Sequence, residues 1–322
     1  MAENIKAALI VSAALILSIL LFPAVKFKAQ TSPSVKTFAK PAESITKEQK
    51  EETFRLYRTK LKKTEKISAE EYIFCVVASE MPISYGEEAL KAQAVAAYTF
   101  AERKKLAAQK SAAEYDITDD YTVDQAFKDK SEILEGWKDN SQKNEEFLSK
   151  IISSVKGEYL TYKNEIAFTP YFAISPGLTD KCSDVFSSDL PYLIPCDSSF
   201  DKLAQGYRTS ATFTKDELKE KLKITEDITE KSFSDFEKTS SGLVKSLKLN
   251  GKKLSGSEIS KALNLRSRTF EISYNDSKFT FTVSGYGHNV GMSQTGAKYL
   301  AAQGSGYKEI LSHYYPGCEI KN

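Results

Sequence analysis

The segment at residues 284–317 restricts the fold more than any other part of the chain. It reads SGYGHNVGMSQTGAKYLAAQGSGYKEILSHYYPG and holds the only two histidines of the 322 residues, His288 and His313. Glycines at 285, 287 and 291 free the backbone where polar side chains cluster. Ala297, Leu300 and Ala301 then recur at helical spacing, and Gly304 marks the helix end. A loop that opens a helix in this way can bring main-chain groups close to a ligand. A purely structural turn fits the same residues, so the segment alone leaves both readings open.

A second segment, residues 68–101, reads SAEEYIFCVVASEMPISYGEEALKAQAVAAYTFA. Ser68 with Glu71, and Ser84 with Glu87, have the spacing of capping boxes, so helices are expected to start close to residues 69 and 85. The first carries an apolar run from residue 72 to 78 and must stop near Glu80, because Pro82 restricts Met81 and blocks further helix. The second shows Leu90, Ala94, Ala97, Tyr98 and Ala101 along one buried stripe. Glu80 therefore sits at the C-terminal end of an apolar helix. The free carbonyls there and burial both disfavour a carboxylate, which keeps a proton on the group as a general acid requires. A glutamate turned to water, or paired with Lys91, fits the same pattern.

Taken together, Glu80-Met81-Pro82, residues 88–97, Gly287-His288, residues 290–294, Gly296-Ala297 and residues 310–317 resemble the stage II sporulation protein D family. There EMP…EALKAQAVAARTYA is followed much later by GHGVGMSQ-x-GA and IL-x-HYYPG. Asp184-Val185-Phe186, residues 190–193, and Asp197-Ser198 with Asp201 fit the same pattern, as do Ser241-Gly242, Gly251 and residues 254–256. The resemblance spans about residues 60 to 320.

The resemblance implies a lytic transglycosylase acting on peptidoglycan glycan strands, with Glu80 as the single acid and then base. It would protonate the oxygen between N-acetylmuramic acid and N-acetylglucosamine, then take the proton of the sugar's own C6 hydroxyl as that closes onto C1. Glycosidases generally use two carboxylates; an internal nucleophile removes the need for the second through proximity. Glu87 and Glu88 fit the first turn of the second helix, where acids are favoured. Candidate substrate contacts are Gln93, Tyr98, Ser175, His288, Ser293, Gln294 and Tyr314. Four of them have a plainer alternative. Gln93 can face solvent, His288 can tie down the glycine loop, Ser293 can cap a helix, and Tyr314 can pack. A non-catalytic module that binds glycan or enhances an amidase is the alternative function. A cell-wall amidase and a sporulation membrane complex are the partners the resemblance implies.

Three departures from the family pattern stand out. Tyr98 replaces the arginine of AVAARTY. Asn289 replaces a glycine, and Asn tolerates left-handed backbone. Residues 172–177, FAISPG, lack the family's histidine and place Ala173 there. Some members bind zinc in this region, but only Cys182 and Cys196 lie close here. Structural zinc takes four nitrogen or sulfur ligands, so no metal is expected, and no cofactor.

Residues 7–25 form an uncharged, mostly apolar run, just long enough for a bilayer, which takes about 20 helical residues. Lys6 precedes it and Lys26 and Lys28 follow, so charge alone does not orient it. The expectation is a signal anchor at residues 1–28, with a single pass through the cell membrane; a signal peptide cleaved near Ala24 or Ala29 is the alternative and gives the same side without the tether. A Ser-, Thr-, Pro-, Lys- and Gln-rich linker at 29–50 follows, then an extracytoplasmic domain at 51–322. Lysine and arginine number 45 against 43 acidic residues, a net charge of +2, which argues against nucleic-acid binding. Of the four cysteines, Cys182 with Cys196 is the expected disulfide and Cys75 a buried thiol.

Residues 102–155 are charged and mostly helical in pattern, with Trp137 as a packing anchor. Residues 158–172 and 243–283 are rich in β-branched and aromatic residues. Residues 270–274 and 279–283 alternate as strands, with Asn275-Asp276 as the turn. Residues 213–222 form a further capped helix in pattern. The fold class expected is α+β, with helices towards both ends and a β-rich centre, and with the cleft where Glu80 meets the His288 loop.

Overall fold

The computed structural model describes residues 52–322. The expected anchor and linker lie outside the described residues. Among the described residues no helix is long and apolar enough to cross a membrane.

The described chain opens with a hairpin of β1 (Thr53–Arg58) and β2 (Lys63–Ser68), in register from Thr53↔Ser68 to Arg58↔Lys63. α1 (Ala69–Glu80) starts where the Ser68 hydroxyl accepts the Glu71 N–H at 3.1 Å. It ends at Glu80 because Met81 turns extended ahead of Pro82. The six consecutive residues from Tyr72 to Val77 are all buried, so α1 is packed on every side. α2 (Glu87–Ser111) begins two residues later than expected. The Ser84–Glu87 capping box does not form: Ser84 lies in a 3-10 turn (Ile83–Tyr85), and Gly86, at φ +93°, makes the entry. Its expected stripe is buried, together with Ala92, Gln93, Val95 and Ala96. The many alanines among them let other elements approach α2 closely on several sides, so it serves as the axis of the first core.

β3 (Ile117–Thr118) runs parallel to β1. α3 (Lys130–Trp137) and α4 (Ser141–Ser154) follow, with the Trp137 ring edge-on to Phe74 at 5.9 Å. β4 (Tyr159–Tyr162), β5 (Glu165–Ile166) and β6 (Tyr171–Phe172) fall in the expected strand region.

A second core gathers around five phenylalanines, Phe213, Phe233, Phe270, Phe279 and Phe281. It is built from β7 (Arg208–Thr214), α5 (Lys215–Leu222), β8 (Phe233–Lys238), β9 (Val244–Leu249), β10 (Lys252–Ser255), α6 (Gly256–Ala262), β11 (Phe270–Asn275) and β12 (Lys278–Ser284). Its sheets run in the orders β10-β9-β8 and β11-β12-β7. The β11–β12 turn comes one residue later than expected: Asp276 and Ser277, at φ +47° and +63°, form it, and Asn275 pairs with Lys278. Two positive φ values in a two-residue loop match the twist of the flanking strands.

The chain then returns to the first core. β13 (Met292–Ser293) lies parallel to β6. α7 (Gln294–Ala302) and α8 (Tyr307–Tyr314) pack on α2, and β14 (Glu319–Lys321) pairs with β4. The architecture is mixed α+β. The first core needs both ends of the described chain, which is why two motifs some 200 residues apart meet.

The Cys182–Cys196 disulfide is absent: all four cysteines are free thiols. Burial pushes both thiols up in pKa, and Cys196 Sγ–H donates to the Ile194 carbonyl at 3.4 Å. Cys75 is a buried thiol, as expected.

Candidate functional site

Glu80 closes α1 with a half-buried side chain. Its Oε1 accepts the Ala126 N–H at 2.8 Å, and its Oε2 accepts Gln294 Nε2 at 3.3 Å. Burial raises its pKa above the usual carboxylate range, and these two hydrogen bonds oppose the rise. Gln294, the first residue of α7, also donates weakly to Gln93 Oε1 at 3.5 Å. Gln93 is fully buried on α2, and its own Nε2 makes no hydrogen bond of good geometry. Glu80, Gln93 and Gln294 therefore form one constellation from three helices, and sequence reading had singled out all three.

Two residues it did not single out complete the floor. Gln125 is buried and donates to Tyr72 Oη at 3.1 Å, while Tyr171 Oη donates to Gln125 Oε1 at 2.7 Å. Both tyrosines sense the Glu80 charge, which raises their pKa further beyond the effect of burial. Nothing local in the sequence announces Gln125, since its partners come from α1 and β6.

The glycine loop reaches this constellation through Gln294 and not through His288. The His288 ring packs on Phe172 and Phe186, at 5.5 and 5.3 Å. Its Nδ1 accepts the Val290 N–H at 3.2 Å. Burial pushes its pKa down to about 4, so the ring is neutral, and the geometry is that of a side chain tying its own loop. Gly291 makes the close approach: a Cβ there would stand 2.0 Å from the Pro170 carbonyl oxygen. Asn289, at φ +67°, adopts the left-handed backbone, and its amide donates to Asp180 Oδ2 at 2.7 Å and the Leu178 carbonyl at 3.0 Å.

Ser175, Ser293 and Tyr314 belong to a second constellation, centred on Asp201. Asp201 Oδ2 accepts the Ser175 N–H at 2.6 Å and the Ser293 hydroxyl. Its Oδ1 accepts Ser198 Oγ–H at 3.1 Å, and Ser198 Oγ lies 2.8 Å from Tyr314 Oη. Every member is buried. Burial raises the Asp201 pKa to about 6 against the pull of these donors. Ser293 also caps α7 by accepting the Gly296 N–H at 3.1 Å. Gly296 is required there, since a Cβ would stand 1.9 Å from Tyr314 Oη. The sequence pattern includes Asp201 but gives it no role.

Tyr98 lies on a different network. Its hydroxyl donates to Glu52 Oε2, and Lys105 holds the same carboxylate. His313 Nε2 lies 2.7 Å from the Asp197 carbonyl oxygen.

A family model described as stage II sporulation protein matches residues 57–162. Stage II sporulation protein D of Bacillus amyloliquefaciens is 36% identical over 266 residues, covering 82% of this chain and 77% of that protein. Stage II sporulation protein D of Bacillus subtilis (strain 168) is 35% identical over 294 residues, covering 90% of this chain and 84% of that protein. A Bacillus subtilis amidase enhancer is 26% identical over 300 residues, 76% of this chain but 39% of that protein. Two relatives above 30% identity that align along most of both chains settle the assignment: this chain belongs to the stage II sporulation protein D family.

Proposed function

We propose that this protein is a lytic transglycosylase of sporulation that cuts peptidoglycan glycan strands with Glu80 as its acid and base. The family and the amidase-enhancer relative support a cell-wall role in sporulation. The observation that carries the finer reading is the environment of Glu80. It is half-buried, its pKa is raised, and two neutral donors wait for its charged form. The proton it holds goes to the oxygen leaving the muramic acid C1. The carboxylate left behind is stabilised by the Ala126 N–H and the Gln294 amide. It then takes the C6 hydroxyl proton as that oxygen bonds to C1, which closes the 1,6-anhydro ring and regenerates the acid. Among the described residues, no second carboxylate is among the groups that shift Glu80. That fits a reaction whose nucleophile belongs to the substrate.

In this reading Gln294 stands at the sugar beside the acid, and Gln93, fully buried in the free protein, backs it through the 3.5 Å contact of their amides. Ser175, Ser293, Tyr314 and His288 hold the walls. Residues 7–25 anchor the chain in the cell membrane with the domain outside, where its polymer lies, alongside an amidase of the same wall.

A second reading, an amidase enhancer without cleavage, is favoured by Tyr98, which stands where the family carries arginine and is turned to Glu52. The deciding experiment incubates the full chain with purified glycan strands, bare or bearing stem peptides, and reads the products by mass spectrometry. Ends carrying 1,6-anhydro-N-acetylmuramic acid, lost in Glu80→Gln, establish the reading. Reducing ends would mean that water attacks and a second carboxylate acts. Intact strands of both kinds would move the assignment to the enhancer.

A further inference from the structure

Between β3 and α3 the chain crosses residues 119–129 without a helix or strand, and Arg58, the last residue of β1, holds both ends of that span. Arg58 Nε donates to Asp119 Oδ2 at 3.1 Å. Its two terminal nitrogens grip Asp129 end-on, at 2.8 and 2.7 Å. Nη1 also reaches Glu65 Oε1 at 2.6 Å, and the guanidinium lies 5.3 Å over the Phe127 ring, which stacks on Tyr72. Asp124 ties the first half of the span to β3 by accepting the Thr118 N–H at 2.8 Å. The second half contains Ala126, whose N–H meets Glu80. It is held by the Asp129 fork, the Phe127 stack and Gln125. Outward-facing Tyr121 and Val123 are 77% and 59% exposed, so they add little apolar burial to hold the span down.

We propose that Arg58 is a positioning residue for the acid: by gripping Asp129 and Asp119 it fixes the span that delivers the Ala126 N–H to Glu80 Oε1. This rests on the reading of Glu80 as the acid. The titratable groups that face Glu80 are Tyr72 from α1 and Tyr171 from β6, both neutral at working pH because burial raises their pKa. The Ala126 and Gln294 donors are therefore what counters burial at Glu80. A slack span removes the shorter of the two. The acid then holds its proton more firmly, and the carboxylate of the second half-reaction loses a donor. Lysine substitutes only in part, because it keeps the charge but the fork on Asp129 needs a planar, bidentate guanidinium.

The test compares wild type, Arg58→Ala, Arg58→Lys and Asp129→Asn as full chains. The Glu80 carboxyl titration is followed by carbon NMR, and kcat and KM are measured on glycan strands. Arg58→Ala is expected to raise the Glu80 midpoint by about one pH unit and lower kcat about tenfold, with KM within about twofold. Arg58→Lys recovers only part of this. If Arg58→Ala does not fold, Asp129→Asn, which keeps the Asp119 and Glu65 contacts, carries the test with a smaller shift in the same direction. An unmoved Glu80 midpoint in a folded variant overturns the proposal. A wild type that cuts no strand overturns the transglycosylase reading instead, and the midpoint shift still decides whether Arg58 positions Glu80.

Discussion

Two carboxylates, one fully buried and one half-buried, meet adjacent residues of one short segment: Asp201 accepts from Ser293, and Glu80 accepts from Gln294. Both have raised pKa values, and burial is the main cause in each. They differ in what surrounds them. Asp201 is completely buried and takes three donors, two of them serine hydroxyls and one a backbone N–H. Glu80 is half-buried and takes two. A sealed anion surrounded by donors is a structural tie, whereas a half-open one can exchange its proton with something outside. A shifted pKa therefore does not by itself mark the catalytic acid; access does.

Glu80→Gln draws this contrast most sharply. Cleavage is expected to fall by about 10²–10⁴, the usual worth of a positioned acid–base group. Stability should hold, because the new amide oxygen still accepts from Ala126. Gln294 and Gln93 can rotate their amides to restore donor–acceptor pairing, with the unpaired Gln93 Nε2 turning inward. Product analysis beside a denaturation curve checks both halves. A variant that still cuts removes Glu80 from the mechanism.

Asp201→Asn should do the reverse, with cleavage by the folded fraction retained and stability altered in a pH-dependent way. The folded pKa of Asp201 is raised from 3.8 to about 6. The native state thus binds the proton more tightly than the unfolded chain. Its contribution is full below the unfolded pKa and is lost as pH rises through about 6. Wild type should lose on the order of 3 kcal/mol relative to the variant across that window. Urea unfolding of both proteins at a series of pH values reads it directly. A constant difference would mean that folding leaves the Asp201 pKa unchanged, with its donors balancing its burial.

Gly296→Ala probes the same tie sterically. The added methyl would meet Tyr314 Oη at 1.9 Å and Ser198 Oγ at 2.5 Å. Neither atom is free to move, since each is buried and hydrogen-bonded. A loss of about 1–3 kcal/mol is expected in urea unfolding. An undiminished midpoint would show that α7 can shift away from Asp201.

The Glu80 side of this contrast was the more legible in sequence, for a local reason. An apolar helix stopped by Pro82 places its last residue without knowledge of the rest of the fold. The β11–β12 hairpin was readable in the same way, from alternation and turn residues. Asp201 was not, because its donors come from residues 175, 198 and 293. α6 was missed although Ser255 and Glu258 form a capping box that signals it. The span across Glu80 was folded into a charged, helical-looking stretch. There Asp120 accepts the Thr122 N–H at 2.9 Å, a local turn that competes with helix formation. The Ser84–Glu87 box misled in the opposite direction, since Gly86 with its positive φ opens α2 instead.

Tyr98 marks the edge of the comparison and gives the smallest expected effect. It stands where the family carries arginine, yet its hydroxyl is spent on Glu52 at the start of the described chain. Lys105 holds the other Glu52 oxygen at 3.1 Å. Tyr98→Phe keeps the ring that packs edge-on against Phe54 at 6.3 Å and removes only the hydroxyl. Glu52 keeps Lys105 and is itself exposed, so the cost should be about 1 kcal/mol or less. Cleavage should not change, because the Tyr98 hydroxyl is bonded to Glu52 while Glu80 takes its donors from Ala126 and Gln294. If cleavage falls severalfold while the unfolding midpoint stays put, this position touches substrate after all. The Glu80 constellation would then extend along α2 from Gln93 to Tyr98, and the site would be larger than the hydrogen bonds of the free protein outline.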